Sequence, residues 1–430
     1  MNSHQDARVR LLMDSAMRAL SAGQHQEAER LVRQAQTEAP HHPLVLNETA
    51  RQLLMAGKAA AAHTLLESAV REDGSHASLW LNLAAALRAL DRGDEEMAAL
   101  DKVLTLDPRN IRARLQTGSL HELRGNPRAA AMSYRFALQL IPPGFDPPAP
   151  LREVVQHARE IVAANDRSLE AFLDERLQDT RARHAGETLR RFDKCLATLL
   201  HKDAIYRSQP SFMYFPQLPP IEFHEREDFP WLDSIEAATA DIRAELSGVI
   251  SEGTAALEPY VRIPEGMPLN QWQELNQSRR WGVYYLWREG VALPEHIARC
   301  PRTAAALEAW PRYDVPSSGP TAVFSILDAK TRIPPHTGVT NTRLIVHLPL
   351  IIPSGCEFRV GAERREWHPG RALVFDDTFE HAASNESDVP RAVLILDIWN
   401  PRLSAAERDL VRAATAAVSE FYDISFFRGG

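Results

Sequence analysis

Two histidines form the residue pattern best suited to chemistry in this chain. His336 stands in Pro334-Pro335-His336-Thr337-Gly338, and His381 closes the run Asp376-Asp377-Thr378-Phe379-Glu380-His381. Neutral imidazole is a good ligand for a borderline metal such as iron(II). Short β-branched runs at 322–327, 343–352, 371–375 and 391–399 surround the pair. Ligands far apart in sequence need a rigid frame, and closely paired strands supply one. The expectation is a mononuclear non-haem iron site in a double-stranded β-helix, with jelly-roll, cupin-like topology. Such sites ordinarily add a carboxylate two residues after the first histidine, but that position is Gly338. Asp376, Asp377 and Glu380 are near enough to be considered as a third ligand. A strand leading into His381 would put the two aspartates at its far end, so two histidines with water in the third position is the favoured solution.

An oxygenase built on this site also holds a dicarboxylate cosubstrate, which calls for buried cations nearby. Arg391 opens the apolar strand that follows His381, and a hairpin through 385–390 would return it toward the metal. Taken alone, it reads as an exposed strand-end arginine. Arg343, Ile345 and His347 share one face of the preceding strand by the period of two. There Arg343 and His347 are candidates for the other end of the cosubstrate, although His347 reads equally as a core histidine. Ser325, inward on the first strand, is a candidate contact to the distal carboxylate.

The elements that must position these residues occupy the rest of the chain. Over residues 1–142 a period of 34 is visible: small residues at Ala16, Ala50, Ala84 and Gly118, and turn residues at Gly23, Gly57, Asp91 and Gly125. Further registers run Ala28, Ala62, Glu96, Ala130 and Ala35, Ala69, Val103, Ala137. The unit closes at Pro40, Gly74, Pro108 and Pro142; Glu96, Val103 and Gly74 are the exceptions. A small residue at a helix crossing, a turn, a second small residue and a breaker make a helix–turn–helix. The period is that of the tetratricopeptide repeat, so about four such repeats are expected, offering a surface for a peptide or protein, or packing only on a neighbour.

Residues 143–208 read as a proline-rich joint followed by one or two bridging helices, and 209–430 as the oxygenase domain. Extended structure is expected at 209–223 and a helix from about Leu232 to Ile250. Trp272, Trp281, Tyr284, Tyr285 and Trp287 crowd the next stretch, where core packing is the commoner role for aromatics and pocket lining the alternative. At the C-terminal end Ser404 and Glu407 have capping-box spacing, and the helix they open is expected to cover one sheet.

At 430 residues two or three domains are expected. An apolar fraction of 44% with 25% charged residues describes an ordinary soluble chain, and a net charge of −8 argues against nucleic acid or an anionic membrane as main partner. No apolar run reaches the ~18 residues of a membrane span. The first residues lack a basic region followed by an apolar core, so a cytoplasmic protein is expected. Cys195, Cys300 and Cys356 are odd in number and widely spread, as reduced thiols are.

Residues from about 210 to 415 resemble the aspartyl/asparaginyl β-hydroxylase family of 2-oxoglutarate dioxygenases, which also includes lipid A hydroxylases. The segments that carry this are 336–348 with its His-Thr-Gly start, 353–356, 367–371, 375–381, and Arg391 through 397–401. The resemblance implies iron bound by two histidines only, matching His336 and His381, with glycine at the matching Gly338. It also implies 2-oxoglutarate contacts at Ser325, His347 and Arg391, with Fe(II) and O2 completing the cofactor set. One position departs: animal members carry arginine where this chain has Ile345, and Arg343 one pleat back is the candidate substitute. The implied activity is insertion of one oxygen atom from O2 into an unactivated C–H bond, with release of succinate and CO2. Peptidyl Asp or Asn is among the candidate substrates, beside amino acids, lipids and small metabolites. Two rival readings stand beside it. One is a repeat-based adaptor that has lost turnover but keeps a ligand-binding β-helix; the other is a cupin-like isomerase or hydrolase, which leaves Ser325 and Arg391 unexplained.

Overall fold

The computed structural model describes residues 3–142, 144–251 and 257–422. Pro143 of the expected joint and the last eight residues of the expected oxygenase domain lie outside them. The chain divides into two compact units, Met1–Leu189 and Arg190–Gly430.

The first unit is a helical repeat array. Its pairs are Ser3–Ser21 with His25–Glu38, Pro43–Met55 with Ala59–Glu72, Ala77–Ala89 with Gly93–Leu106, and Ile111–Leu123 with Pro127–Gln139. The repeat registers explain themselves physically. Gly23, Gly57, Asp91 and Gly125 all adopt positive φ, between 57° and 74°, which reverses the chain between the two helices of each pair. Aspartate tolerates this conformation better than most side chains, so Asp91 can replace glycine. Ala16, Ala50 and Ala84 are buried at the crossings. At Gly118 a Cβ would lie 2.5 Å from the Tyr134 ring, so only glycine leaves the ring its space. Glu96, the charged exception, is buried but accepts a 2.9 Å hydrogen bond from Arg88 Nε.

The span expected to bridge the domains does not stand apart. Its long helix, Ala149–Arg183, buries Val155 and Ala158 against Leu115, Tyr134 and Ala137 of the last repeat pair. Its second helix, Arg190–Leu199, belongs to the second unit, where Arg190 pairs with Glu225 and Glu363 and Lys194 with Glu222. The division therefore falls inside 143–208, because the apolar face of the long helix has only the last repeat to cover it.

Among its described residues the second unit contains twelve strands: β1 (Phe223–His224), β2 (Glu258–Pro259), β3 (Trp281–Arg288), β4 (Val291–Ala292), β5 (Ala322–Leu327), β6 (Thr331–His336), β7 (Arg343–Ile351), β8 (Cys356–Val360), β9 (Glu363–Arg364), β10 (Leu373–Phe375), β11 (His381–Asn385) and β12 (Arg391–Trp399). They form a large antiparallel sheet in the order β1-β10-β7-β12-β5-β3-β2, with β4 on β3, and a small one in the order β6-β11-β8-β9. β5, β7 and β12 read as near-continuous apolar runs because both faces are buried. On one face Phe324, Ile326, Leu344, Leu348 and Leu394 pack with Leu232, Ile235, Ile242 and Leu246 of the helices Leu232–Ala237 and Thr239–Ser251. On the other, Leu327, Ile345 and Val393 meet Ile333, Phe358 and Ala383 of the small sheet. The expected single helix over 232–250 is thus broken into two after Ala237.

The C-terminal helix Ala405–Tyr422 forms its capping box: Ser404 N donates to Glu407 Oε2 at 2.7 Å, and Glu407 N to Ser404 Oγ at 3.3 Å. Val411 packs with Trp399, Leu403, Tyr313 and Val315. This helix therefore caps the end of β12 instead of covering a sheet, which the helices at 232–251 already do.

Candidate active site

His336 ends β6 and His381 begins β11, and the antiparallel register sets them directly opposite each other. Their rings lie 4.0 Å apart between centroids. The two use the same local device. His336 Nδ1–H donates to Pro334 O at 2.9 Å and His381 Nδ1–H to Phe379 O at 3.0 Å. A carbonyl only accepts, so the proton sits on Nδ1 and each Nε2 keeps its lone pair for a metal. Burial, reinforced by the neighbouring imidazole, pushes His336 down to about 3, and burial pushes His381 down to about 4. Both rings are neutral, as ligation requires.

The loops that carry the histidines are strapped from outside. Ser211 N donates to Gly338 O at 3.1 Å, Gln209 N to Thr378 O at 2.7 Å, and Asn341 exchanges two hydrogen bonds with Phe215. The extended stretch expected at 209–223 thus has a purpose in fixing the site.

Gly338 and Asp377 need correction relative to the sequence. Residues 376–380 are a turn, not the end of a strand: Thr378 N and Oγ1 both donate to Asp376 Oδ1, at 2.9 and 2.6 Å. The turn carries Asp377 back to the histidine loop, where Gly338 N donates to Asp377 O at 2.6 Å. A Cβ on Gly338 would overlap the Asp377 carboxylate. The glycine therefore leaves room for a carboxylate from elsewhere in the chain. No group of three metal-ligating side chains occurs among the described residues, so the histidines stand as a pair.

Arg343 Nη2 donates to Asp377 Oδ2 at 3.0 Å, and its Nη1 lies 3.9 Å from Asp397 Oδ2. Burial alone would lower the guanidinium, but the Asp377 and Asp397 charges outweigh it and raise its pKa. Asp397 is pushed up to about 7 by burial, despite Arg343, and Asp376 likewise to about 7. Register sets Ile345 opposite Asp397, where Ile345 joins the core between the sheets.

Arg391 is the largest fully buried side chain, 1% exposed. Its guanidinium lies 4.5 Å from the centroid of the Trp367 ring. Its Nε and Nη1 have no hydrogen-bond partner among the described residues, and burial without a nearby carboxylate pushes it down to about 10. The solvent-exposed alternative is overturned. Ser325 lies inward on the adjacent β5, its Oγ accepting from Trp281 Nε1 at 3.0 Å. His347 is wedged among Phe358, Phe375 and Trp367, with burial and then Arg391 driving its pKa well below the usual value. Its Nδ1 also has no partner among the described residues.

One cavity of ≈ 1000 Å³ joins all six predicted positions: Ser325, His336, Arg343, His347, His381 and Arg391. Trp272, Trp281 and Tyr285 line it as well, while Tyr284 and Trp287 belong to the helix-covered core. Alternation along β3 separates Trp281 and Tyr285 from Tyr284 and was available in the sequence, whereas Trp287 changes sides because the register shifts between Tyr285 and Trp287. Asp397 and Trp367 were missed as site residues. Asp397 interrupts an otherwise apolar strand on the Arg391 side of the pleat, which was a usable signal; Trp367 lies outside any strand, and only its place in the resembling segment 367–371 marked it.

The comparisons with known proteins fall on the same residues. The aspartyl/asparaginyl beta-hydroxylase family model matches residues 236–401 and a tetratricopeptide repeat model matches 19–87. The chain carries an aspartyl/asparaginyl beta-hydroxylase domain behind tetratricopeptide repeats. All six cavity positions lie inside the hydroxylase match. Human aspartate beta-hydroxylase domain-containing protein 2 is 32% identical over 205 residues, 46% of this chain and 53% of the relative. Human aspartyl/asparaginyl beta-hydroxylase is 33% identical over 158 residues, covering 36% of this chain and 20% of the relative. Ornithine lipid ester-linked acyl 2-hydroxylase of Rhizobium tropici is 33% identical over 191 residues, covering 44% and 63%. The chain thus spans about half the length of the first of these relatives. Among the described residues no helix is long and apolar enough to cross a membrane.

Proposed function

We propose that this protein is a 2-oxoglutarate- and Fe(II)-dependent hydroxylase. The observation that carries the reading is the guanidinium of Arg391, buried without an anion in the cavity that also holds two neutral, Nε2-presenting histidines. A buried cation is costly unless paired, and a dicarboxylate cosubstrate resolves that cost through a charge-assisted pair. His336 and His381 would hold iron. Arg391 and the Ser325 hydroxyl would hold the distal carboxylate of 2-oxoglutarate, with His347 toward its other end, whereas Arg343, expected to share that role, is held between Asp377 and Asp397 and would bound the opposite end of the cavity. Iron and 2-oxoglutarate, when bound, supply the activation of O2 that transfers one oxygen atom to a C–H bond with release of succinate and CO2.

The chain's own residues supply order and dryness. The Nδ1 hydrogen bonds fix each imidazole, Trp367 orients the Arg391 guanidinium, and Trp272, 5.0 Å from the His336 ring, walls the metal position from water. The repeats are proposed to dock a peptide or protein. Ile345 keeps a second reading in view, a ligand-binding β-helix without turnover.

The test is succinate formation from 2-oxoglutarate by the full chain under air. It should require added Fe(II) and be lost in the His336→Ala/His381→Ala double variant. Iron-independent succinate, or equal turnover in the double variant, would sink the proposal.

A further inference from the structure

The cavity is polar at both ends, and the two ends are unlike. Along β12 the inward residues are Arg391, Val393, Ile395 and Asp397, so the end pair is separated by about 20 Å of strand. The Arg391 end offers a cation without a partner. The Asp397 end, which includes Tyr260, Tyr285, Ser318 and Thr321, offers the reverse. Its one deeply placed cation, Arg343, already lies between two carboxylates, 3.0 Å from Asp377 and 3.9 Å from Asp397. The β7 position facing Asp397 is Ile345, which adds no charge. Toward solvent, Arg262 and Arg288 both pair with Glu258, at 2.7 and 3.2 Å.

Two acceptors remain. Asp377 Oδ1 and Asp397 Oδ2 are buried, and neither has a hydrogen-bond partner among the described residues. Both belong to side chains that line the cavity. A carboxylate entering here would compete with Asp377 and Asp397 for the guanidinium they share, in a site where burial and the Asp377 charge already push Asp397 up to about 7. A nitrogen donor would meet two acceptors that no hydrogen bond among the described residues satisfies.

We infer that the substrate group accepted at the Asp397 end carries no negative charge and donates hydrogen bonds from nitrogen, as a primary amide or an ammonium does, and that a carboxylate is rejected. The inference rests on the hydroxylase reading for its naming of this end as the substrate end. It narrows that reading, since of the aspartyl and asparaginyl side chains only the amide fits.

The test uses the full chain and three capped tripeptides, acetyl-Gly-X-Gly-amide, with X aspartate, asparagine or 2,4-diaminobutyrate. These side chains have nearly the same size and differ in charge and donors. Binding is followed by tryptophan fluorescence, since Trp272 and Trp281 line the cavity. The asparagine and diaminobutyrate probes should each bind at least about tenfold tighter than the aspartate probe, and a difference between those two tells amide from ammonium. Asp397→Asn and Asp377→Asn, each checked for a native circular dichroism spectrum, should narrow the gap. An aspartate probe that binds as well as or better than the others would overturn the inference, as would binding of none of the three. 2-Oxoglutarate is titrated into the same samples and into Arg391→Gln. If it binds through Arg391 while the aspartate probe wins, the inference alone fails; if it does not bind, the hydroxylase reading fails.

Discussion

At the scale of single residues, the site depends on protonation and on space. An ordinary histidine pair would lose metal as pH falls through about 6.5, because protons compete for the ligand nitrogens. With His336 pushed down to about 3 and His381 to about 4, competition is displaced to acid below the usual range. Affinity for a redox-inert divalent metal such as Mn(II), measured by calorimetry, should therefore be nearly flat between pH 8 and 6. A loss of about tenfold or more over that interval, as an unshifted pair would show, contradicts the assigned environment. The Gly338–Asp377 contact makes a second claim. Gly338→Ala should destabilise the second unit by about 1–3 kcal/mol, since its Cβ has nowhere to go. Removing the obstacle in Gly338→Ala/Asp377→Ala should return part of that cost, a coupling that a double-mutant cycle reads directly. Additive effects would show that the carboxylate does not fill the glycine's space.

At the scale of elements, the order of strands does what no local motif could. β6 and β11 meet in one register, so histidines far apart in sequence become neighbours. β5, β7 and β12 lie side by side, so Ser325, His347 and Arg391 share a cavity. Much of this was readable in advance, because the period of two assigns side chains to faces once a strand is recognised. What could not be read was the turn at 376–380. Its Asx geometry, which Thr378 completes, reverses Asp377 toward Gly338, and two adjacent aspartates between a phenylalanine and a threonine give no direction for either. Burial of Arg391 was equally hidden, since a strand-opening arginine is exposed unless a later element covers it, and Trp367 is that cover. In the repeats the reverse holds: Gly118 was visible as a small-residue register, and Tyr134 supplies its reason. Gly118→Ala would gain about 1 kcal/mol of helix propensity, yet the ring it meets is buried and its hydroxyl is tied to Glu122. Overpacking of about 1–3 kcal/mol should equal or exceed that gain, so the thermal midpoint of the first unit should not rise. A clear rise would show that Tyr134 yields freely.

At the scale of the whole molecule, a helical repeat unit and a β-sandwich unit share one chain, and the candidate site lies in the second. The two units were evident from the change in periodicity, from 34-residue helical repeats to alternating strands. Their boundary was not, because the helix Ala149–Arg183 looks like a linker by composition and joins the repeats only through the packing of Val155 and Ala158. The central claim concerns the full chain: one cavity binds iron through two histidines and 2-oxoglutarate through Arg391. An anaerobic titration of the full-length protein with Fe(II) and then 2-oxoglutarate tests it most directly. A metal-to-ligand charge-transfer absorption band is expected that needs both additions and saturates at one equivalent. It should be weakened in Arg391→Gln and absent from the His336→Ala/His381→Ala double variant. No band in the wild-type protein, or an undiminished band in the double variant, would contradict it.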